Sequence, residues 1–369
     1  MKIAILGTRG IPNYYGGFEQ FAEFFSVYLV NKGHEVYCYN SHNHKFQEKT
    51  FHGVNIIHQH DPEYKYGTFG QFIYDYNCIL DSRKRDFDII LQLGYTSNSI
   101  WFFLLPKKPI IITNMDGIEW KRSKYSRPVQ QFLRFAERLA AISSDYLVSD
   151  SLGIKSFLKQ RYNKESTYIA YGAHPFDAPN EAILDQYHVQ KENFNMIMAR
   201  FEPENNLDMV LQGVALNADD QTPILVVGKH ETKYGEYLKN KFKDHKNIRF
   251  MGGIYNLEHL NNLRYFSKLY FHGHSVGGTN PSLLEAMASK ALIAAHNNDF
   301  NKGVLKDNAF YFSNPKEVKE LLLTVKKNDN LHFIENNFNA IVNQFNWDKI
   351  NGEYLQLFEE CMVKGKRRS

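Results

Sequence analysis

The feature that most constrains the fold is an alternation of short apolar runs with segments of helical periodicity, and it occurs twice along the chain. Residues 2–7, KIAILG, contain an apolar run from Ile3 to Leu6 and end in glycine, which is typical of a buried parallel strand. From residue 17 the apolar positions follow helical spacing until Gly33, and residues 35–39 read as the next strand. Strands that alternate with helices predict parallel sheets covered on both faces.

The first series predicts further strands at 54–58, 88–93, 109–113 and 146–149, and helices at 69–82, 97–105, 127–142 and 151–161. Small, turn-forming residues from Tyr171 interrupt the rhythm and predict a linker. The second series predicts strands at 194–199, 224–228, 248–251, 269–272 and 291–295. Its predicted helices include 205–216 and 281–289, and the last third is expected to be helical at 315–327, 331–344 and 347–363. Two doubly wound sheets in tandem explain this order.

Composition limits the class of protein. The 369 residues are enough for two domains, and 43% hydrophobic with 23% charged residues is typical of a globular protein. A net charge of +4 is too small to predict nucleic-acid binding. The apolar run at 100–105 is too short to span a bilayer, and no signal peptide is expected.

Cysteine and histidine patterns bear on redox state and metals. The three cysteines are far apart and form no CxxC, so we expect neither a disulfide framework nor a zinc site, and a reducing cytoplasm is favoured. The fifteen histidines show no HExxH or similar spacing, so we predict no protein-bound metal.

The first strand-to-helix turn, GTRGIPNYYGG at residues 7–17, is rich in glycine. Glycines allow a backbone to approach a ligand, and a following helix N-terminus favours an anion. The spacing is not GxGxxG, and the second strand ends at Asn40 where a ribose-binding carboxylate would be expected. We expect a phosphate or sugar role, and the alternative is a long turn that needs glycine for shape alone.

Two carboxylates, Asp116 and Glu119, follow the strand predicted at 109–113. Open α/β sheets bind ligands beyond the carboxyl ends of their strands. A carboxylate at that position can hydrogen-bond an acceptor hydroxyl or serve as general base. The alternative interpretation is an acidic cap at a helix N-terminus.

In the second series, Arg200 follows the first strand and could pair with a diphosphate, or with Glu202 or Glu204 in a salt bridge. The segment HSVGGTNPSLLEAM, residues 274–287, is the sharpest motif. Its glycines form a loop, Pro281 suits a first helical turn, and Thr279 or Asn280 suits the cap. Free amides there can hold phosphate while Glu285, one turn inside, reaches a ribose diol. The alternative is a plain capped helix with an exposed glutamate.

A basic stretch at 121–127 precedes an amphipathic helix whose apolar stripe is Val129, Phe132, Leu133, Ala136 and Leu139. Together with Arg134, Arg138 and the basic pair at 107–108, this surface could rest on anionic lipid. A normal helix with a solvated basic face is the equal alternative.

Three blocks in order, GTRGIPNYYGGFEQFAEF, NMDGIEWKRSKY and HGHSVGGTNPSLLEAMA, resemble the retaining glycosyltransferases of family four. They look closest to a bacterial branch of rhamnosyltransferases that build surface polysaccharides, and the resemblance covers essentially the whole chain. It implies the GT-B architecture, in which two Rossmann-like domains face a central cleft, with the donor on the second domain and the acceptor on the first.

The family usually carries two glutamates eight positions apart, and Glu285 matches the second, which holds the nucleotide ribose. The first would fall at Gly277, and its absence disfavours hexose donors such as UDP-glucose and suits a deoxysugar such as rhamnose. The family usually places an arginine and, five positions later, a lysine on the diphosphate. Arg200 matches the arginine, but Asn205 stands where the lysine would be. Lys229 is a candidate substitute for that lysine.

We therefore predict a cytoplasmic enzyme, peripheral on the inner face of the membrane, that transfers rhamnose from dTDP-rhamnose with retention to a lipid-linked polysaccharide. UDP- and GDP-sugars remain possible donors. The expected parts are an acceptor domain at 1–172, a nucleotide-sugar domain at 173–345, and a helix at 346–369 that returns to the first domain. No metal or cofactor is expected. The alternatives are a sugar-nucleotide epimerase of the same architecture and a non-catalytic glycan-binding or assembly protein.

The expected site residues fall into three groups. They are catalytic Asp116, Arg200 and Lys229; donor-binding Gly16, Gly17, Gly277, Gly278, Thr279, Asn280, Ser282 and Glu285; and acceptor-binding Arg9 and Glu119.

Overall fold

The computed structural model describes residues 1–122, 125–217 and 220–367. The chain forms two units, each built on one sheet. Unit 1 contains Met1–Trp120, Ser126–Tyr171 and Trp347–Ser369, and unit 2 contains Lys121–Tyr125 and Gly172–Asn346.

The sheet of unit 1 has eight strands in the order β3-β4-β2-β1-β5-β6-β7-β8. Every pairing is parallel except the short hairpin of β3 with β4. The strands are β1 Lys2–Leu6, β2 Glu35–Ser41, β3 Thr50–Phe51, β4 Val54–Gln59, β5 Ile89–Leu93, β6 Ile110–Asn114, β7 Tyr146–Ser149 and β8 Thr167–Tyr168. The first helices are α1 Gly17–Asn31, α2 Glu63–Tyr66, α3 Thr68–Ser82, α4 Arg127–Ser143 and α5 Leu152–Tyr162.

The sheet of unit 2 has six parallel strands in the order β11-β10-β9-β12-β13-β14. They are β9 Asn195–Met198, β10 Ile224–Val227, β11 Ile248–Gly252, β12 Leu269–His272, β13 Ile293–His296 and β14 Phe310–Phe312. The helices are α6 Leu207–Ala215, α7 Lys233–Lys241, α8 Leu257–Phe266, α9 Pro281–Ala288, α10 Asp299–Leu305, α11 Pro315–Thr324 and α12 Leu331–Asn343.

Central strands are continuous apolar runs because both of their faces are covered. In β5 and β6 every residue is buried, and β1 is buried from Ile3 onward. Ile and Leu dominate these strands, since apolar and especially β-branched side chains suit a pleated, enclosed surface. The predicted pair of doubly wound parallel sheets is confirmed.

The last helix, α13 Trp347–Lys364, lies in unit 1. Its Tyr354 ring packs 4.7 Å from Phe21 of α1, between ring centroids, and its Phe358 ring packs 5.5 Å from Phe25. The Tyr354 hydroxyl also accepts a hydrogen bond of 2.8 Å from the Asn114 side-chain amide at the end of β6. Helix α13 therefore contacts both a neighbouring helix and the carboxyl edge of the sheet.

Some predicted elements were wrong in type or extent. The helix expected at 97–105 is a 3-10 helix at Ser99–Leu104, and the helix expected at 315–327 ends at Thr324 before another 3-10 turn at Lys327–Asn330. Strand β14, which pairs with β13, was not predicted. A three-residue edge strand is too short for a periodic pattern to reveal. No helix among the described residues is long and apolar enough to cross a membrane.

We expect Tyr354→Phe to lower the free energy of unfolding by about 1–3 kcal/mol, because it leaves the buried Asn114 amide without its acceptor. Chemical denaturation followed by circular dichroism measures this change. Tyr37→Phe is the matched control, since its hydroxyl bonds Glu35 at the surface, and it should shift stability by less than about 0.5 kcal/mol. Equal effects of the two variants would contradict the structural role given to Tyr354.

Candidate functional site

Strand order locates a candidate site in each unit. In unit 2 the chain builds outward from β9 through β10 to β11 and then continues from β12 on the other side of β9. In unit 1 the same reversal lies between β1 and β5. Ligands of open α/β sheets bind at such reversals, beyond the carboxyl ends of the strands. The predicted site residues of each unit follow strands at this edge.

In unit 2 the loops after β9 and β12 are joined tightly. A Cβ added at Gly273 would lie 2.1 Å from the Asn205 carbonyl oxygen, so this contact requires glycine. The Asn206 side-chain amide donates to the Gly273 carbonyl at 2.8 Å, and the Ser275 amide donates to the Glu204 carbonyl at 3.1 Å. The loop after β9 and the loop after β12 therefore form one surface.

Arg200 lies on this surface and is exposed. Within the described ranges it forms no ion pair, so the expected alternative of a salt bridge to Glu202 or Glu204 is absent. Asn205, at the position where the resemblance places lysine, is buried and donates to the Arg200 carbonyl at 2.8 Å. Its amide shapes the Arg200 turn and adds no charge. Lys229, after the neighbouring strand β10, is also exposed.

The start of α9 is capped by Asn280. Its side-chain oxygen accepts from the Ser282 amide at 3.0 Å and from the Ser282 hydroxyl at 2.8 Å, and its carbonyl accepts from the Leu283 amide at 3.0 Å. The amides of the first helical turn are thus already used, whereas the sequence suggested them for phosphate. Any backbone donors for phosphate would come from the loop before Asn280, which contains Gly277, Gly278 and the buried Thr279.

Gly277 has a backbone φ of +135°, a conformation that residues with a side chain rarely adopt. No described atom lies within 4 Å of a Cβ built at this position. Space is therefore available, and backbone conformation is what excludes a glutamate here. The glutamate expected from the family resemblance is absent, and the backbone conformation at this position is one that a glutamate rarely adopts.

Glu285, one turn inside α9, accepts a hydrogen bond from the Arg264 guanidinium of α8, with Nη2 and Oε2 2.5 Å apart. Arg264 is fully buried, whereas 23% of the Glu285 side chain is exposed. The guanidinium also donates to Asn261 and to the Met198 sulfur at the end of β9. The buried Arg264 guanidinium therefore holds one carboxylate oxygen of Glu285, Oε2, in place by a hydrogen bond. Sequence reasoning missed Arg264, because arginine on a helix is usually exposed.

In the glycine-rich loop of unit 1, backbone amides donate hydrogen bonds to side chains of the loop itself and of α1. The Arg9 amide donates to Glu19 at 3.0 Å and the Asn13 amide donates to Glu23 at 2.6 Å, both on α1. The Gly16 amide donates to the Asn13 side chain at 3.2 Å. Gly16 itself is extended, and Gly17 begins α1. These bonds favour the alternative in which this loop is shaped for its own fold.

Arg9 is held by a bidentate ion pair with Glu63, at 2.9 and 2.8 Å, and its guanidinium lies 4.6 Å from the centroid of the Tyr15 ring. Burial alone would raise the pKa of Glu63, but the hydrogen bonds and charge of Arg9 outweigh burial and lower it. Arg9 therefore serves first as a link between the loop after β1 and α2.

Asp116 sits in a turn rather than at a helix cap. Its φ is +48°, a left-handed conformation that aspartate tolerates better than most residues, and its amide donates to the Asn114 side chain at 2.9 Å. The Tyr95 hydroxyl donates to the Gly117 carbonyl at 3.2 Å and accepts from the Glu119 amide at 3.3 Å. Asp116 and Glu119 are both partly exposed at this edge.

The same turn is held from α4. Buried Glu137 accepts from the Trp120 indole at 3.2 Å and from the Tyr162 hydroxyl at 2.6 Å. Burial raises the pKa of Glu137, although these hydrogen bonds act against the rise. The Arg134 guanidinium lies 4.0 Å from the centroid of the Trp120 ring. Arg134 thus has an aromatic partner inside the protein.

The expected lipid-facing stretch is described only in part, since Ser123 and Lys124 lie outside the described residues. Leu133, Ala136 and Leu139 of the predicted stripe are buried, but Val129 is exposed together with Phe135 and Ile142. No cluster of three His, Cys, Asp or Glu able to hold a metal occurs within residues 1–122, 125–217 and 220–367.

We expect Glu285→Ala to destabilise the protein, toward the low end of the about 3–5 kcal/mol typical of breaking a buried ion pair, because Arg264 would remain buried and uncompensated. Glu285→Gln should cost less, since its amide oxygen can still accept from Arg264. Denaturant unfolding of both variants checks this order, with exposed Glu231→Ala as control. A cost for Glu285→Ala no larger than that of the control would refute the ion-pair role.

Comparison with known proteins gives consistent matches. Residues 180–339 match the family model described as glycosyl transferases group 1, and residues 1–174 match a domain of unknown function, DUF1972. An uncharacterized glycosyltransferase of Methanocaldococcus jannaschii is 24% identical over 410 aligned positions, which cover 95% of this chain and 97% of that protein.

Solved structures agree on the fold. Sucrose-phosphate synthase of Thermosynechococcus elongatus superimposes with a TM-score of 0.79 at 13% identity, covering 99% of this chain and 100% of that one. Anabaena HepE, in complex with UDP and glucose, has a TM-score of 0.72 at 14% identity, covering 97% and 99%. With its two parallel-sheet units and its group 1 match, the chain is a glycosyltransferase with the GT-B fold.

Proposed function

We propose that this glycosyltransferase takes its sugar from a nucleoside diphosphate donor bound at the carboxyl edge of the unit 2 sheet. The observation that carries the proposal is Glu285, a partly exposed carboxylate held rigidly by buried Arg264 one turn inside the helix that follows the glycine loop. A fixed carboxylate can accept two hydrogen bonds from a ribose diol. Arg200 and the amides of the loop before Asn280 would then face the diphosphate.

In the proposed reaction an acceptor hydroxyl oxygen forms a bond to the anomeric carbon as the bond from that carbon to the diphosphate oxygen breaks. The configuration is retained, and the departing phosphate takes the hydroxyl proton. Arg200, with Lys229 as helper, stabilises the negative charge that develops on the leaving group. These cations make a metal unnecessary in the proposal. The acceptor is assigned to unit 1, where Asp116 orients its hydroxyl and Arg9 and Glu119 lie at the same edge.

We propose rhamnose, carried by dTDP, as the donor sugar. The support is Gly277, whose left-handed backbone leaves no carboxylate for the hydroxyls of a hexose. A deoxysugar needs fewer such contacts. HepE, which has the same fold, was solved with UDP and glucose, so UDP-glucose is the natural competitor in any test.

We also propose that the acceptor is a lipid-linked surface polysaccharide and that the enzyme works on the inner face of the membrane. The supporting feature is a set of exposed apolar side chains in unit 1, with Phe102 and Phe103 on the 3-10 helix that contacts α4 and Val129, Phe135 and Ile142 on α4 itself. Exposed basic Arg138 is on the same helix. Apolar side chains rimmed by cations suit an anionic lipid surface.

The donor proposal is tested by thermal unfolding with dTDP, dTDP-rhamnose, UDP, UDP-glucose and a GDP-sugar. We expect dTDP-rhamnose to raise the Tm most, because a ligand that binds only the folded state stabilises it. Glu285→Gln should weaken nucleotide binding by about tenfold or more, the scale of a lost charge-assisted hydrogen bond. Titration calorimetry in the presence of EDTA measures the affinity. Unchanged nucleotide affinity in this variant would remove the ribose role.

We expect Asp116→Asn to lower turnover by about 100-fold while donor affinity stays the same, because a misplaced acceptor hydroxyl reacts poorly. The substitution keeps the size of the side chain. It also keeps the hydrogen bond that the backbone amide of residue 116 donates to the Asn114 side chain. Initial rates at saturating donor, together with calorimetric donor binding, separate the two effects. If the Asp116→Asn variant turns over at the wild-type rate, Asp116 has only a structural role in its turn.

A further inference from the structure

A row of polar rings lies on one face of β12. Tyr270 and His272 are two residues apart in the strand and so project from the same side. His274 follows two residues after His272. The rings of His272 and His274 stack with centroids 4.4 Å apart and planes 14° apart. Tyr270 lies within electrostatic reach of Arg264 and Glu285. The row therefore extends from beside the Glu285 carboxylate to the start of the glycine loop.

These rings lack the hydrogen bonds that buried polar groups require. Both ring nitrogens of His272 and Nδ1 of His274 are enclosed without a partner among the described residues. An imidazole always carries at least one N–H, and an enclosed donor without an acceptor is unfavourable. Of the two histidines only His274 is partly exposed, so a hydrogen-bonding group of a ligand can reach the row at His274.

The two histidines are neutral, which limits what that molecule can be. Burial lowers the pKa of His272 well below its usual value and lowers the pKa of His274 to about 3. The positive charges of Arg200 and Arg122, both in unit 2, act on His274 in the same direction. A neutral imidazole has no charge with which to attract a diphosphate, and the nitrogen of His274 that is not enclosed can form one hydrogen bond with a hydroxyl.

Position points to the sugar part of the donor. His274 immediately precedes the loop that contains Gly277, and Gly277 offers no side chain. His272, fully buried behind it, holds the His274 ring by stacking.

We propose that His274 recognises a hydroxyl of the donor sugar and that His272 is the positioning residue that orients it. The inference rests on the proposed nucleotide-sugar function. It assigns sugar recognition to an imidazole before the glycine loop, whereas the nucleotide is recognised through Glu285.

The test compares the affinity for a nucleotide sugar with the affinity for its free nucleoside diphosphate, using dTDP-rhamnose with dTDP and UDP-glucose with UDP. For the pair that wild type binds, His274→Phe keeps the ring stacking and should lower the sugar-to-nucleotide affinity ratio by about tenfold, one neutral hydrogen bond. Affinity for the free diphosphate should stay within about twofold. An unchanged ratio in His274→Phe overturns the inference.

Three further variants make the result specific. His274→Gln retains a donor and an acceptor, so it should recover part of the ratio. Glu285→Gln should weaken both ligands equally, and exposed His332→Phe should change neither. If wild type binds none of the four ligands, the proposed function fails. If the diphosphate binds but the ratio does not respond to position 274, only the present inference fails.

A second measurement does not depend on any variant folding. Because His274 is neutral, the wild-type affinity for the nucleotide sugar should remain constant between about pH 5 and pH 8, where an ordinary histidine titrates. The nucleotide sugar is measured alone, because the terminal phosphate of a free nucleoside diphosphate itself titrates near about pH 6. An affinity for the nucleotide sugar that rises as pH falls across this range would mean that an imidazolium binds the ligand, and it would overturn the inference.

Discussion

The buried guanidinium of Arg264 is the constraint on which the carboxyl edge of the unit 2 sheet depends. A charge removed from water must be paired, and here the pairing group is Glu285 on the next helix. The same guanidinium contacts the end of β9 through Met198 and its own helix through Asn261. The guanidinium of Arg264 therefore connects α8, α9 and the central strand β9. It also makes the orientation of the Glu285 carboxylate a property of the folded core.

The sequence predicted well what depends on local pattern. Alternating apolar runs and helical spacing predicted two parallel sheets. The cap of α9 was predicted at Thr279 or Asn280, and the structure has it at Asn280. Residues whose roles depend on distant partners were missed. Arg264 looks like any surface arginine until α8 is packed against α9. Asn205 looks like a lost lysine until its amide is seen to bond the Arg200 carbonyl.

The turn at Asp116 shows the same limit. Two carboxylates after a strand suggested a ligand site or a helix cap, and sequence spacing alone left both open. The structure holds this turn through Asn114 at the end of β6, Tyr95 in the loop after β5 and Glu137 on α4. Their contribution arises from packing that brings residues far apart in sequence to one edge. Patterns within a short window contain no record of such contacts.

The placement of α13 has a consequence for the order in which the protein is made. Unit 2 is nearly continuous in sequence, from Gly172 to Asn346, whereas unit 1 requires residues from both ends of the chain. During synthesis, Asn114 and the aromatic face of α1 emerge before Gly172–Asn346 of unit 2, whereas Tyr354 and Phe358 emerge after it. Unit 1 is thus begun first but completed only after unit 2 has been translated, and the apolar surface of α1 stays uncovered until α13 has emerged.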